Sequence, residues 1–282
     1  MGTNELFQYS VVSALMDGVA TNGLPIRTLL SHGDHGLGTF RYMAGEMIIL
    51  DGTIYQMNSD GTVRAISPDD EAPKEADDAT ETPSPPLPAG SPCYLASAGL
   101  PAVSPFAMVT RFRPTTTTRA RLSGNGKDTL ERLLTSLFPG ARNTYLAMRL
   151  EGTFRSVTVR TATGQRVPGE GLREVAKNQV SHTFGVGSDN STGGSEGPVR
   201  GTMIGFRSPT FLQGVSVAGD HLHFLAEDRM RGGHVLGFEG EGELEVQVAS
   251  MWKIVLELPH DDEQFNAAKL ERDAEGIAAA EG

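Results

Sequence analysis

The chain has a single cysteine, Cys93, in 282 residues. No intrachain disulfide can form, and nothing points to an oxidising compartment. It has no run of lysine or arginine, and 35 acidic side chains outnumber 24 basic ones to give a formal charge of -11. Binding a phosphate backbone needs a basic stripe, so this balance argues against a nucleic-acid partner and for a small-molecule substrate. No apolar run reaches membrane-spanning length. The first 20 residues also lack a basic segment followed by an apolar one, so the expectation is a cytoplasmic protein with no membrane partner. Leu6 stands where a myristoylation signal wants Ser or Thr. No internal repeat of fixed period is present.

The rest is ordinary for a globular enzyme: 38% hydrophobic and 21% charged residues, in a chain long enough to bury a sizeable core. "NELFQYSVVSALMDG" reads as a short amphipathic helix stopped by Asp17-Gly18, and "LPIRTLLSHG" as a second, briefer one. From Gly38 the period changes to short apolar runs divided by Gly45, Asp51-Gly52 and Asp60-Gly61, the pattern of a strand meander. Residues 67–92 are acidic and rich in Pro, Ser and Ala, which predicts an extended loop. "FAMVTRFRP" predicts a strand, and "GKDTLERLLTSLF" a helix with Leu130, Leu133, Leu134 and Leu137 on one stripe. "TYLAMRLEGTFRSVTVRTA" reads as two strands around Glu151-Gly152, and the Gly/Ser-rich segment 186–199 as a second flexible insertion. "TMIGF", "HLHFLA", "HVLGF" and "ELEVQVASMWKIVLEL" then follow closely, with Trp252 expected in the core, before a helical tail. The expected fold class is therefore α+β and strand-dominated. A mixed or antiparallel sheet makes the N-terminal half (1–142), an antiparallel barrel-like sheet the C-terminal half (143–258), and few helices accompany them, the last in the tail (259–282).

Three of the seven histidines fall within "HLHFLAEDRMRGGHVL", residues 221–236. Side chains alternate along a strand, so His221 and His223 share a face. A hairpin centred between Arg229 and Met230 would set His234 opposite Leu225, on that same face; a one-residue slip would turn it away. Three imidazoles without a fourth nearby ligand suit a catalytic zinc or similar divalent metal with open positions. By contrast, "SHGDHGLG", with His32, Asp34 and His35, reads as a glycine-rich loop and not as a second metal site.

"LFQYSVVSALMDG", "GDHGLGTF", "GEMIILDGTIYQ", "SPFAMVT", "GTFRSVTVRT", "GTMIGFRSP" and "HLHFLAEDRMRGGHVL" occur in an order that closely resembles the alpha-acetolactate decarboxylase family. The resemblance implies a carboxy-lyase that converts (S)-2-acetolactate to (R)-acetoin and carbon dioxide, with zinc or another divalent metal on His221, His223 and His234. It implies catalytic roles for Arg160, Glu46 and Glu275, the last in a tail that folds over the site. The chemistry is coherent: loss of carbon dioxide from this β-keto acid leaves an enediolate, whose charge a metal chelating the hydroxyl and keto oxygens stabilises without an organic cofactor. Arg160 would hold the carboxylate or sit near the carbon that is protonated, and Glu46 or Glu275 would position the hydroxyl or relay the proton. A homodimer is the default for a soluble enzyme of this size. The insertions at 67–92 and 186–199, and "TATGQRVPGEGL" after Arg160, depart from the family's pattern.

Two rival readings remain. A cupin-like dioxygenase or isomerase would use Glu227 of "HLHFLAE" as a ligand, although the second cupin motif is missing. A sheet protein with a structural metal would want four protein ligands, and no cysteine lies near the histidines.

Overall fold

The computed structural model describes residues 2–67, 92, 102–186, 197–270 and 274–281. Most of the 67–92 segment, most of 186–199 and Cys93 lie outside the described residues. The strands are β1 (Leu6–Tyr9), β2 (Leu24–Pro25), β3 (His35–Thr39), β4 (Glu46–Leu50), β5 (Thr53–Met57), β6 (Val63–Ile66), β7 (Val103–Ser104), β8 (Ala107–Thr110), β9 (Thr116–Ala120), β10 (Tyr145–Thr161), β11 (Val180–Gly185), β12 (Val199–Ser208), β13 (Gly219–Ala226), β14 (Gly232–Gly240), β15 (Leu244–Met251) and β16 (Ile254–Glu257). The helices are α1 (Val12–Met16), α2 (Ile26–His32), α3 (Gly126–Leu137), α4 (Leu172–Lys177), α5 (Glu263–Ala267) and α6 (Ala274–Glu281). The class is the expected one, strand-dominated α+β.

One sheet runs β16-β1-β8-β3-β4-β5-β6 and is mixed, because β1 pairs β16 in parallel and its other pairs are antiparallel. The second is antiparallel, and β10, β14, β13 and β12 close on one another as a four-stranded ring. Inside the ring pack Phe154, Val157, Val159, Leu222, Phe224, Val235 and Phe238, and α3 covers this core with Leu130 and Leu134. Ile48, Leu50 and Met57 of the first sheet pack on Ile204 and Leu225, on the outside of the ring. That seam between the sheet and the ring is where the histidines emerge.

Local chemistry sets several of these elements. Asp51 and Gly52 both take positive φ (52° and 78°), the hairpin geometry the Asp-Gly pair favours, and they join β4 to β5 as expected. Other expectations fail. "LFQY" is the strand β1, all four residues buried and hydrogen-bonded on both sides by β8 and β16; only Val12–Met16 of that segment is helical. Tertiary pairing outweighs the helical spacing of its apolar residues. "HGLGT" is no loop but the central strand β3, whose glycines allow close backbone approach: a Cβ on Gly38 would stand 2.3 Å from the Phe106 carbonyl oxygen. "TYLAMRLEGTFRSVTVRT" does not break at Glu151-Gly152. It is one seventeen-residue strand, with Gly152 at φ 149° and its pairing to β12 continuous through that residue. Trp252 is 81% exposed and not core. It lies where the chain crosses from β15 of the second sheet to β16, which forms the edge of the first sheet, with Ile254, Val255 and Leu256 all exposed. No helix among the described residues is long and apolar enough to cross a membrane.

His35 of β3 is buried, stacked on Phe112 and edge-on to Phe206, and burial pushes its pKa down to about 4. Unfolded, it titrates near 6.5, so below that pH the unfolded chain takes up a proton that the folded chain resists. Relative to a His35→Gln variant, the wild-type protein is expected to lose stability as pH falls from 6.5 toward about 4, and none of this difference should appear above pH 7. Urea unfolding of both proteins across that range reads the effect; a pH-independent offset would show that His35 is not the group responsible.

Candidate metal centre

The ring explains why three histidines meet. Leu222 and Phe224 face its apolar interior, so the alternating His221 and His223 face outward. The hairpin turns one residue earlier than the sequence suggested: Ala226 N–H donates to Arg231 O, Arg229 takes φ 60°, and His234 pairs directly with His223. Moving the centre by one residue shifts the partner by two, from Leu225 to His223, so the expected shared face survives. On the other side of β14, His234 pairs with Arg160 of β10. A bulge between the pairs Thr158–Gly237 and Val159–Val235 leaves Leu236 over and sets this register. One row across three strands thus reads His223, His234, Arg160.

One ligand atom from each of His221, His223 and His234 lies within 4.8 Å of the others, and all three residues are buried. The donor set fits a divalent cation on two further counts. His223 Nδ1–H donates to the Met47 carbonyl at 2.7 Å, which leaves Nε2 as the ligand atom, and Nε2 has no hydrogen-bond partner among the described residues. Burial also holds all three imidazoles neutral. It pushes His223 down to about 4, and it lowers His221 and His234 well below 6.5 with help from one another's charge and that of Arg160 and Lys127. Neutral imidazole is the form that binds metal.

Glu46, first residue of β4, is also buried. Its Oε1 accepts from Ala162 N–H at 3.2 Å and its Oε2 lies 3.7 Å from His223 Nε2. Because His223 is neutral, that proximity is no ion pair; it aims a carboxylate at the triad. Arg160 is 7% exposed, and its Nη2 reaches within 3.4 Å of His234 Nε2. Glu46, Arg160 and His221 line one cavity with Thr39 and Gln179 on its polar side, and Leu15, Met43, Phe106 and Val217 among its apolar wall. Glu275 is not among these lining residues. It is exposed in the first turn of α6, which packs through Ile277 and Ala280 into the cluster that holds Val12, Leu15 and Leu172.

Glu227 points away, its Oε1 3.0 Å from Arg200 Nε, with both side chains largely exposed. The cupin alternative, which needed Glu227 as a ligand, is therefore not the arrangement here. The sequence reading missed the Met47 carbonyl, Lys127 and Gln179; backbone acceptors carry no residue signature, and the latter two stand in segments without a recognisable motif.

The family model for alpha-acetolactate decarboxylase matches residues 6–78 and 95–272. The chain belongs to the alpha-acetolactate decarboxylase family. It is 32% identical over 276 residues to the alpha-acetolactate decarboxylase of Methanosarcina mazei, covering 96% of this chain and 79% of the relative. It is 30% identical to that of Bacillus subtilis, covering 94% and 85%. The crystal structure of the B. subtilis protein superposes with a TM-score of 0.78 over 99% of both chains at 28% identity. A Staphylococcus aureus protein described as similar to alpha-acetolactate decarboxylase gives 0.77 over 99% and 100% at 25% identity. Family membership and the buried triad concern the same part of the chain.

Titrating the metal-free protein with Zn2+ by calorimetry is expected to show one site per chain. Replacing any one of His221, His223 or His234 by Ala should weaken it by at least roughly tenfold, since even outer-shell partners of a metal site carry that much. Unchanged affinity in all three variants would place the metal elsewhere.

Proposed function

We propose that the protein decarboxylates (S)-2-acetolactate to (R)-acetoin and carbon dioxide, using zinc or a similar divalent cation on His221, His223 and His234. One observation carries this reading: in a chain of this family, three buried neutral imidazoles stand together, and one of them, His221, lines a cavity with the Arg160 guanidinium and the Glu46 carboxylate. The bound cation supplies Lewis-acid stabilisation of negative charge on the substrate's oxygens. The protein's own groups do the rest. Arg160 offers a fork of N–H donors to the substrate carboxylate, the group that must leave. Glu46, held by the Ala162 N–H, presents its other oxygen toward the triad, where it can hold the substrate hydroxyl or move the proton that completes acetoin. Leu15, Met43, Phe106 and Val217 receive the two methyl groups and exclude water.

Of the two glutamates, Glu46 is the one beside the triad. The role given to Glu275 rests on the resemblance alone, and Glu275→Gln separates the two. The proposal extends to a homodimer, supported by the edge strand β16 with its exposed apolar side chains and open backbone groups. Sedimentation at micromolar concentration should give twice the chain mass, and a Val255→Lys variant the mass of one chain; a monomeric wild-type protein would contradict it.

The functional test is acetoin formation from freshly prepared 2-acetolactate. Activity should vanish on chelation, return with Zn2+, and stay absent in His223→Ala. Glu46→Gln should retain the metal yet lose roughly 100-fold or more in kcat, the range of a proton-transfer group. If the metal-loaded protein makes no acetoin above the spontaneous rate, the reading fails.

A further inference from the structure

Two polar side chains that the scheme above does not use, Thr39 and Gln179, line the cavity beside the triad. Thr39 Oγ1 donates to Gly45 O at 2.7 Å, and Glu46 accepts from Ala162, so both already serve the fold. Gln179 lines the same cavity, and its hydrogen bond to the protein is through the backbone, N–H to Ala176 O at 3.2 Å. Its carboxamide has no protein partner among the described residues, although the residue is half-buried beside an apolar wall. A primary amide in that setting keeps two donors and an acceptor for a ligand.

The backbone there is fixed. Leu172 and Val175 bury α4 in the same cluster as Leu15 and Ile277, Asn178 ends the helix, and β11 starts at Val180, paired with Thr161. Gln179 therefore stands one step past the last β10–β11 rung, level with Ala162, whose N–H holds Glu46. Gln179 and Arg160 line one cavity.

We propose that Gln179 is a further substrate-contact residue, its side-chain N–H donating to the substrate carboxylate beside Arg160. The inference rests on the decarboxylase reading of this site. A carboxylate offers about four lone-pair positions, and an arginine fork occupies two of them. The amide takes a third, from the direction the guanidinium does not cover. The carboxylate still carries much of its charge as the C–C bond begins to break, so this contact holds bound substrate and transition state nearly equally. It governs KM more than kcat.

Gln179→Ala is expected to raise KM about tenfold, the loss of one hydrogen bond to a charged group, with kcat within about threefold of wild type. Gln179→Glu should raise KM further, because its carboxylate repels that of the substrate. A binding measurement separates contact from mere structure. Calorimetry with 2-hydroxy-2-methylbutanoate, which keeps the carboxylate but lacks the keto group needed to decarboxylate, should show about tenfold weaker binding to Gln179→Ala. Acetoin, which has no carboxylate, should bind both proteins equally. If wild type turns over acetolactate but the variant's KM is unchanged, or if both probes weaken together, the Gln179 assignment falls alone. If wild type makes no acetoin, the decarboxylase reading falls first, and the assignment with it.

Discussion

Everything at the site depends on keeping three imidazoles neutral, close and buried on the outside of a closed ring of strands. The ring makes this affordable. Its interior is filled by Phe154, Leu222, Phe224 and Val235, so strand alternation leaves the intervening positions for His221, His223 and His234 without opening the core. The first sheet then covers those positions: Met47 of β4 orients His223, and Glu46, one residue earlier, turns its carboxylate to the same point. Burying a polar cluster in such a seam is costly, and a bound cation offsets that cost by taking one nitrogen of each ring as a ligand.

The field around the triad also fits an anionic substrate in a protein of formal charge -11. Arg160 and Lys127 both act on the histidines as positive charge, and Lys127, half-buried in the first turn of α3, has its own pKa lowered chiefly by burial. Positive charge is thus placed beside the triad, where the proposed reading puts the substrate carboxylate. The cavity wall on the other side is apolar and carried by α1, α4 and the segment before β13, so charged and methyl ends of one small molecule have different walls to meet.

Much of this was legible in the sequence where the chemistry is local. Asp51-Gly52 specifies a hairpin by its own backbone preferences, and HxH followed by GGH places three imidazoles together once strands are assumed. Arg160 and Glu46 were reached only through the family resemblance, because an isolated strand arginine or carboxylate carries no pattern; pairing across β10 and β14, and a backbone donor from Ala162, are what bring them in. The misreadings share a cause. β1, β3 and β16 are defined by partners distant in sequence, so the four residues of β1 looked helical, a glycine-rich strand looked like a loop, and Trp252 looked like core when it marks the exposed crossing between sheets. Gln179 is silent in sequence for the same reason.

The most direct test of the central claim is anomalous diffraction at the zinc edge from crystals of the zinc-loaded protein. One peak per chain is expected, about 2.0–2.1 Å from a nitrogen of each of His221, His223 and His234, with Glu46 and Arg160 facing its open side. A peak centred on other residues, or none beside the triad at full loading, would contradict the account.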